Sequence, residues 1–328
     1  MYIKHKKAQA AMEFLMTYGW AILIVLIVLA ALFFLGVFSP KTANVCQIST
    51  PFFCQDVVAD DNSLGIKIKA QGVSSATVTS ININGQDCNS FNTNLDINGD
   101  FFGCIVTLNK GDKFTVKYTL DYTRQLGISH KIIGESSGNV ENSRKSKILV
   151  IENTNNGGSG WISKLTSFGH NVIIDTNVAT KAQVDSYSPD IIACFNTYWG
   201  CSKSALFKQL YDSGYSVWTE GNDNYNAIYL ITTTVDTSIN VPTIYPDTIT
   251  NHPLITGWTS ASGSGGDGRS GITGIRSGAY SIIKDTTNNY YEGIYLDEIG
   301  KGKWYHHQSL GLPPDRLLKN IVSVLSLH

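Results

Sequence analysis

The stretch Lys147-Ile-Leu-Val-Ile-Glu152 sets the predicted fold of the second half of the chain. It is a short apolar run without alternation, which is typical of a strand buried on both faces of a sheet. Three similar runs follow, with stretches of helical periodicity between them. The runs are Asn171–Asp175, Asp190–Phe195 and Tyr215–Thr219, and the helical stretches are 161–169, 181–187 and 202–213. Strands that alternate with helices predict an open, mostly parallel α/β sheet.

The rest of this α/β domain has a less regular pattern. We expect hairpin-like strands near 280–285, 290–296 and 303–306, and a final helix over 314–325. The short polar and basic segment 143–146 is typical of a linker. These boundaries place the α/β domain at 147–328.

Residues 41–142 follow a different pattern. Short segments alternate apolar and polar residues, and turn dipeptides such as Asn84-Gly85 and Asn98-Gly99 separate them. This alternation predicts an antiparallel β-sandwich in which one face of each sheet is wet.

The N-terminal segment is the most apolar part of the chain. No charged residue occurs from Phe14 to Pro40, and the run from Trp20 to Phe38 is almost wholly apolar. A bilayer crossing takes roughly 20 such residues, so we expect a transmembrane helix at 9–40. Lysines concentrate before it, which predicts a single-pass protein of the cell membrane. Its N-terminus would be cytoplasmic and its other domains extracellular.

Glu13 is a carboxylate at the entry to this apolar segment. A lone ionised group inside a membrane costs roughly 2.5–3.5 kcal/mol on insertion scales, so Glu13 requires a partner. The stretch KKAQAAMEFLMTYGWAIL, residues 6–23, resembles the class III signal sequence of archaeal type IV pilins and pilin-like proteins. The resemblance implies a leader over 1–8 that a prepilin peptidase removes after Lys7-Ala8, so that the mature chain begins at Gln9.

The same resemblance implies how subunits would assemble. The new ammonium group of Gln9 can pair with Glu13 of a neighbouring subunit and set the axial register of a filament. The expected partners are the membrane, the prepilin peptidase and other pilin subunits, in a homo- or hetero-polymer. The alternative is a plain signal anchor with Glu13 at the membrane interface.

Six cysteines, an even number, lie in the part of the chain expected outside the membrane. Disulfides are favoured in that compartment. Four of the cysteines allow three pairings, of which we favour Cys46–Cys54 with Cys88–Cys104 because each closes a short loop. Cys194 and Cys201 flank an aromatic loop that a third bridge would pin. No Cys-x-x-Cys motif occurs, which argues against a zinc site, and we expect no metal and no cofactor.

The α/β half resembles the class I glutamine-amidotransferase-like fold. The residues that carry this resemblance are the opening run 147–152, Asn251-His-Pro-Leu-Ile255 and Gly300-Lys-Gly-Lys-Trp-Tyr305. In that family a cysteine at a strand-to-helix elbow is the nucleophile. Here the corresponding turn is Glu220-Gly-Asn-Asp223, which offers no thiol or hydroxyl. We therefore expect no catalytic residue and no enzymatic activity from this half.

A ligand-binding rim is expected instead at the carboxyl ends of the strands, where open α/β sheets bind ligands. Its candidate residues are polar or aromatic side chains at or after strand ends: Glu152, Asp175, Tyr198, Trp199, Glu220, Asp223, His306 and His307. The expected ligand is a surface, a surface glycan or a protein partner. The alternative is that these are ordinary polar residues at strand ends.

Three hypotheses about function follow. The first is a pilin-like subunit of a surface filament, or a membrane-anchored subunit, that displays a non-catalytic binding or adhesion domain. The second is a membrane-tethered hydrolase of amidotransferase-like fold that uses His306 and Glu220. The third is a non-polymerising pseudopilin or receptor. A nucleic-acid role is disfavoured, because Lys and Arg total 25 against 26 Asp and Glu, which leaves a net charge of −1.

Overall fold

The computed structural model describes residues 4–34, 44–124, 127–154, 159–196, 201–221, 229–236, 243–247, 252–258, 261–262, 270–285, 290–308 and 315–327. The chain divides into two compact units, Met1–Ala43 and Asn44–His328. Over these ranges it is rich in β-strands and has five helices.

The first unit contains helix α1, Lys4–Phe34. Alanine, leucine and methionine, which favour helices, are frequent in it, and it contains no proline. The large apolar side chains that the structure describes between Met16 and Leu29 are 46% to 76% exposed. The helix therefore presents apolar side chains on all of its sides rather than as one stripe.

The predicted transmembrane helix and the single-pass membrane localisation are wrong. Within the described part of the chain, no helix combines the length and apolar character needed to cross a bilayer. The predicted fold class is corrected accordingly to a β-rich chain with five helices over the described ranges.

The first part of the second unit forms two antiparallel sheets. Its strands are β1 (Val45–Ile48), β2 (Phe52–Ala59), β3 (Ser63–Ala70), β4 (Val73–Ile83), β5 (Gln86–Cys88), β6 (Asn94–Leu95), β7 (Asp100–Ile105), β8 (Lys113–Arg124) and β9 (Ser129–Asn139). One sheet has the order β1-β9-β8-β4-β5, with β6 paired to β4, and the other has the order β2-β3-β7.

Strand β8 shows why the two antiparallel sheets enclose a core. Its residues alternate between apolar and polar, and every apolar side chain from Phe114 to Tyr122 is buried. From the other sheet, the ring of Phe102 meets Tyr118 edge-on at a centroid distance of 5.2 Å. The apolar faces of both sheets are thus turned toward each other.

The second part of the unit is built on a nine-stranded sheet with the order β11-β10-β12-β13-β20-β19-β18-β15-β16. Strands and helices in this part are β10 (Lys147–Thr154), α2 (Ser159–Ser167), β11 (Asn171–Ile174), α3 (Lys181–Tyr187), β12 (Ile191–Asn196), α4 (Ser204–Asp212), β13 (Ser216–Glu220), β14 (Ile231–Asp236), β15 (Thr243–Pro246), β16 (Ala261–Ser262), β17 (Ser270–Ile275), β18 (Ala279–Asp285), β19 (Tyr291–Asp297), β20 (Lys303–His307) and α5 (Asp315–Leu325). The strands from β11 to β20 in this order pair in parallel, and the later pairs are antiparallel. Strands β14 and β17 form a separate antiparallel pair.

Both faces of the central strands are covered. Side chains such as Val150, Ala193 and Trp218 pack on one face with Leu165 of α2 and with α5. Their chain neighbours pack on the opposite face, with Phe207 of α4. This burial on both faces is why these strands are continuous apolar runs.

The antiparallel sheets and the mixed sheet share one core inside the second unit. Phe91, Phe101 and Ile105 belong to the same apolar cluster as α5 and the central strands. Asn62 Nδ2 donates to Ser323 Oγ of α5 at 2.9 Å. The predicted linker 143–146 lies in this shared region, where Ser146 N donates to His170 Nδ1 at 3.2 Å.

Three disulfides cross-link the second unit, with the pairing Cys46–Cys54, Cys88–Cys104 and Cys194–Cys201. This is the pairing that the sequence favours. The second bridge joins β5 to β7 and therefore ties the two antiparallel sheets together.

Removing the bridge between β5 and β7 should destabilise the chain. It closes a loop with a sequence separation of 16, so replacing both Cys88 and Cys104 with serine should lower the free energy of unfolding by about 3 kcal/mol. Urea unfolding followed by tryptophan fluorescence measures the change. The matched pair of substitutions at Cys46 and Cys54 removes a bridge with a separation of 8 and should cost less. Equal stability of the Cys88 and Cys104 double variant and the wild type would contradict the expectation.

Candidate functional site

The carboxyl ends of β12, β13 and β20 bring candidate residues together. Phe195 pairs with Glu220, and Glu220 pairs with His307, in the register of three adjacent strands. Residues directly opposite each other in neighbouring strands point to the same face of a sheet. Glu220 and His307 are therefore neighbours on the face that carries α2 and α5.

Aromatic rings surround this pair, and we call the group Trp161, Phe195, Trp218, Tyr305, Glu220 and His307 the aromatic centre. The indole of Trp161, from α2, stacks on Phe195 at 5.8 Å. The same indole meets Trp218 edge-on at 5.2 Å and His307 at 5.5 Å. All of these side chains are almost fully buried.

Burial determines the protonation state of Glu220. Its side chain is 1% exposed, and neither carboxyl oxygen has a hydrogen-bond partner of normal geometry among the described residues. Burial raises the pKa of Glu220 well above its usual range, and the nearby Trp161 indole lowers it only in part. The neutral acid is therefore the favoured form, which can donate one hydrogen bond.

His306 lies on the opposite face from Glu220, because successive residues of a strand alternate. Its Nδ1 lies 3.0 Å from Thr219 Oγ1, which also accepts from Trp304 Nε1 at 3.0 Å. Burial lowers the pKa of His306 to about 4, which favours a neutral imidazole. The predicted pairing of His306 with Glu220 is thus replaced in the structure by a pairing of His307 with Glu220.

Two of the candidate carboxylates, Glu152 and Asp175, accept hydrogen bonds from other groups of the chain. Glu152 accepts hydrogen bonds from the backbone N–H of Ser202 at 2.8 Å and of Lys203 at 3.3 Å, just before α4. Asp175 accepts from the hydroxyl of Tyr187 at 2.5 Å, and this bond is the largest cause of the lowered pKa of Asp175. Both carboxylates stabilise connections between elements of the sheet.

The other predicted site residues, or their side chains, lie outside the described part of the structure. Tyr198, Trp199 and Asp223 lie outside the described residues. Lys7, Ala8, Gln9 and Glu13 lie on the described backbone of α1, but their side chains lie outside the described part.

Four aromatic members of the aromatic centre were missed from the sequence: Trp161, Phe195, Trp218 and Tyr305. Strand alternation could have found two of them, since Trp218 precedes Glu220 by two residues and Tyr305 precedes His307 by two. Such side chains must share a face.

The chemistry that this arrangement offers is limited. The aromatic centre contains a neutral acid and an imidazole, and no side chain in it is a thiol or an aliphatic hydroxyl. Within the described ranges, no group of three or more His, Cys, Asp or Glu side chains is placed to hold a metal ion. A comparison with protein-family models finds no match for this chain, and a comparison with curated proteins finds no significant match.

The buried acid should make stability depend on pH. Because the folded-state pKa of Glu220 is raised, its contribution to stability is present below the unfolded pKa of about 4.3. It is lost as pH rises toward the folded pKa, since the unfolded chain releases the proton first. Relative to Glu220→Gln, the wild type should therefore lose stability with rising pH, by at most about 1.4 kcal/mol per pH unit.

Urea unfolding at several pH values, from about 4, near that unfolded pKa, up to about 8, measures this difference. Any constant effect of the amide cancels, because only the change with pH is compared. The same substitution at the exposed Glu135 is the control. A pH-independent difference between Glu220→Gln and wild type would show that the buried acid does not titrate as argued.

Proposed function

We propose that this chain is a pilin-like subunit that assembles with copies of itself through α1 and displays residues 44–328 as a non-catalytic binding module. The observation that carries the proposal is the exposed apolar surface of α1, where the described large side chains from Met16 to Leu29 are at least 46% exposed. Transfer of such surface out of water is strongly favourable.

Copies of the same helix suit this surface. Because apolar side chains surround α1 on every side, one partner helix leaves part of the surface in water, whereas a bundle of several helices covers it. The small residues Gly19, Ala21, Ala30 and Ala31 allow close approach, and a Cβ built at Gly19 meets nothing within 4 Å. The resemblance of residues 6–23 to a pilin signal sequence supports the same arrangement. In this arrangement, Glu13 forms an ion pair with the N-terminal ammonium group of a neighbouring mature subunit, which begins at Gln9.

A non-catalytic role for the displayed module is supported by the aromatic centre. Acyl transfer needs a nucleophile next to a base, and the residue that ends β13 is the buried acid Glu220. His306, which the hydrolase hypothesis pairs with Glu220, faces the opposite side and is bound to Thr219. The hydrolase hypothesis therefore has less support than the binding module.

A charge on α1 should prevent assembly. Ile24 is 51% exposed, and Ile24→Glu would place a carboxylate inside the helix bundle, at a cost of several kcal/mol. We expect wild-type protein to form filaments, visible by negative-stain electron microscopy, and the variant to sediment as a monomer. Ile299→Glu, at a position 61% exposed in the second unit, is the matched control and should assemble normally. Filaments of Ile24→Glu equal to wild type would contradict the proposal.

The second unit should show no hydrolytic turnover. We expect amide, ester and glutamine substrates to be hydrolysed by the full chain no faster than by buffer, since the aromatic centre offers no acyl acceptor. Colorimetric release assays measure this. Turnover that disappears in Glu220→Gln, while the variant keeps the unfolding midpoint of the wild type, would restore the enzymatic hypothesis.

A further inference from the structure

A concave site that shares no lining residue with the aromatic centre lies between the two halves of the second unit. It is a groove of about 350 Å³, which we call the junction groove. One wall comes from β4 and the loop after β5, and includes Thr79, Ser80, Asn89 and Thr93. The other wall includes His252 and Tyr280. Its volume falls in the range of small-molecule sites, roughly 300–1,000 Å³.

The first wall is held in place from several directions. The loop after β5 begins at Cys88, which is bridged to Cys104 of β7. Asn92, in the same loop, donates to Asp100 Oδ2 at 2.8 Å and to the carbonyl of Phe101 at 3.0 Å. A wall fixed in this way loses little conformational entropy when a ligand binds.

The second wall is equally fixed. His252 Nδ1 accepts from the backbone N–H of Leu254 at 3.3 Å, at the start of the short 3-10 turn Pro253–Ile255. Asn320 of α5 donates to the carbonyls of Leu254 and Thr256, both at 2.9 Å. The His252 ring also lies 4.8 Å from the buried ring of Tyr295. The groove is therefore formed before any ligand arrives.

The groove carries no charge along its described lining. None of its described lining residues is Asp, Glu, Lys or Arg. Burial lowers the pKa of His252 to about 3, so its imidazole is neutral. Because Nδ1 is the acceptor for Leu254, the proton is on Nε2, and this donor has no hydrogen-bond partner among the described residues. Such buried unpaired donors are rare in folded proteins.

We propose that the junction groove binds an uncharged, polyhydroxylated ligand, a neutral sugar unit. Hydroxyl and amide groups of Ser80, Asn89 and Thr93 match the hydroxyls of a sugar in both donor and acceptor character. The Thr79 hydroxyl donates to the carbonyl of Thr119 at 3.2 Å and adds an acceptor. Tyr280 is 37% exposed and offers an aromatic face to the apolar C–H face of a pyranose ring. A charged ligand would enter without a counter-charge from the described lining, which is unfavourable. This inference deepens the proposed binding role by naming its ligand class and location.

Titration of the full chain with maltose, cellobiose and N,N′-diacetylchitobiose, followed by saturation-transfer NMR, tests the groove. We expect saturable binding of at least one of these neutral probes and none of glucose 6-phosphate. Tyr280→Ala should weaken binding at least tenfold, and Ser80→Trp should abolish it by filling the groove. Ser74→Trp places the same side chain on the same strand outside the groove lining and should bind like wild type.

No saturable binding of any neutral probe at millimolar concentration overturns the inference, as does binding that both groove variants leave unchanged. If Ser80→Trp fails to fold, as judged by its thermal unfolding, Tyr280→Ala decides alone. The filament assay is run on the same variants and separates the two proposals. Sugar binding by a chain that forms no filaments sinks the assembly proposal only, and filaments without sugar binding sink the groove only.

Discussion

The pleat of four adjacent parallel strands, β10, β12, β13 and β20, is the constraint on which the second unit depends. Each strand sends alternate side chains to opposite faces. The strands are in register except at one irregularity in β10 between Val150 and Glu152, so each face receives rows of side chains. The side chains on one face pack against α2, α5 and the antiparallel sheets, and those on the other face pack against α4. The pairing of Glu220 with His307, and the separation of both from His306, follow from this alternation alone.

The core of the second unit buries several ionisable groups. Besides Glu220, the second unit buries Lys303. Burial lowers the pKa of Lys303, and its Nζ donates to the carbonyl of Leu327. Asp297, opposite Lys303 in the register of β19 and β20, has its pKa raised to about 6, chiefly by burial. Groups of this kind lose hydration on folding. A hydrogen bond and the facing Asp297 offset this loss for Lys303, whereas Glu220 avoids it by remaining the neutral acid.

Some of this architecture is visible in the sequence and some is not. The apolar run 147–152 predicts a strand and forms β10, and the other three predicted strands correspond to β11, β12 and β13. The local disulfides could be predicted because short loops favour near neighbours.

The roles of Glu152 and Asp175 could not be predicted from the sequence, since their partners Ser202 and Tyr187 meet them only in the folded sheet. The junction groove was hidden for the same reason, because its walls come from residues far apart in the chain, such as Ser80 and Tyr280. The membrane prediction was wrong, since no helix in the described part of the chain meets the requirements for a crossing.

Strand β20 lies between β13 and β19, in the interior of the nine-stranded sheet. It is nevertheless the last strand of the chain among the described residues, at 303–307. During synthesis the ribosome delivers β10 to β13 long before β20, so their edge stays open until nearly the whole α/β half has been translated. An open edge of apolar strands is prone to pair with other chains. The second unit therefore closes late, by long-range contacts that form slowly. A nascent chain of this kind depends on being kept apart from its neighbours until residues 303–307 have emerged.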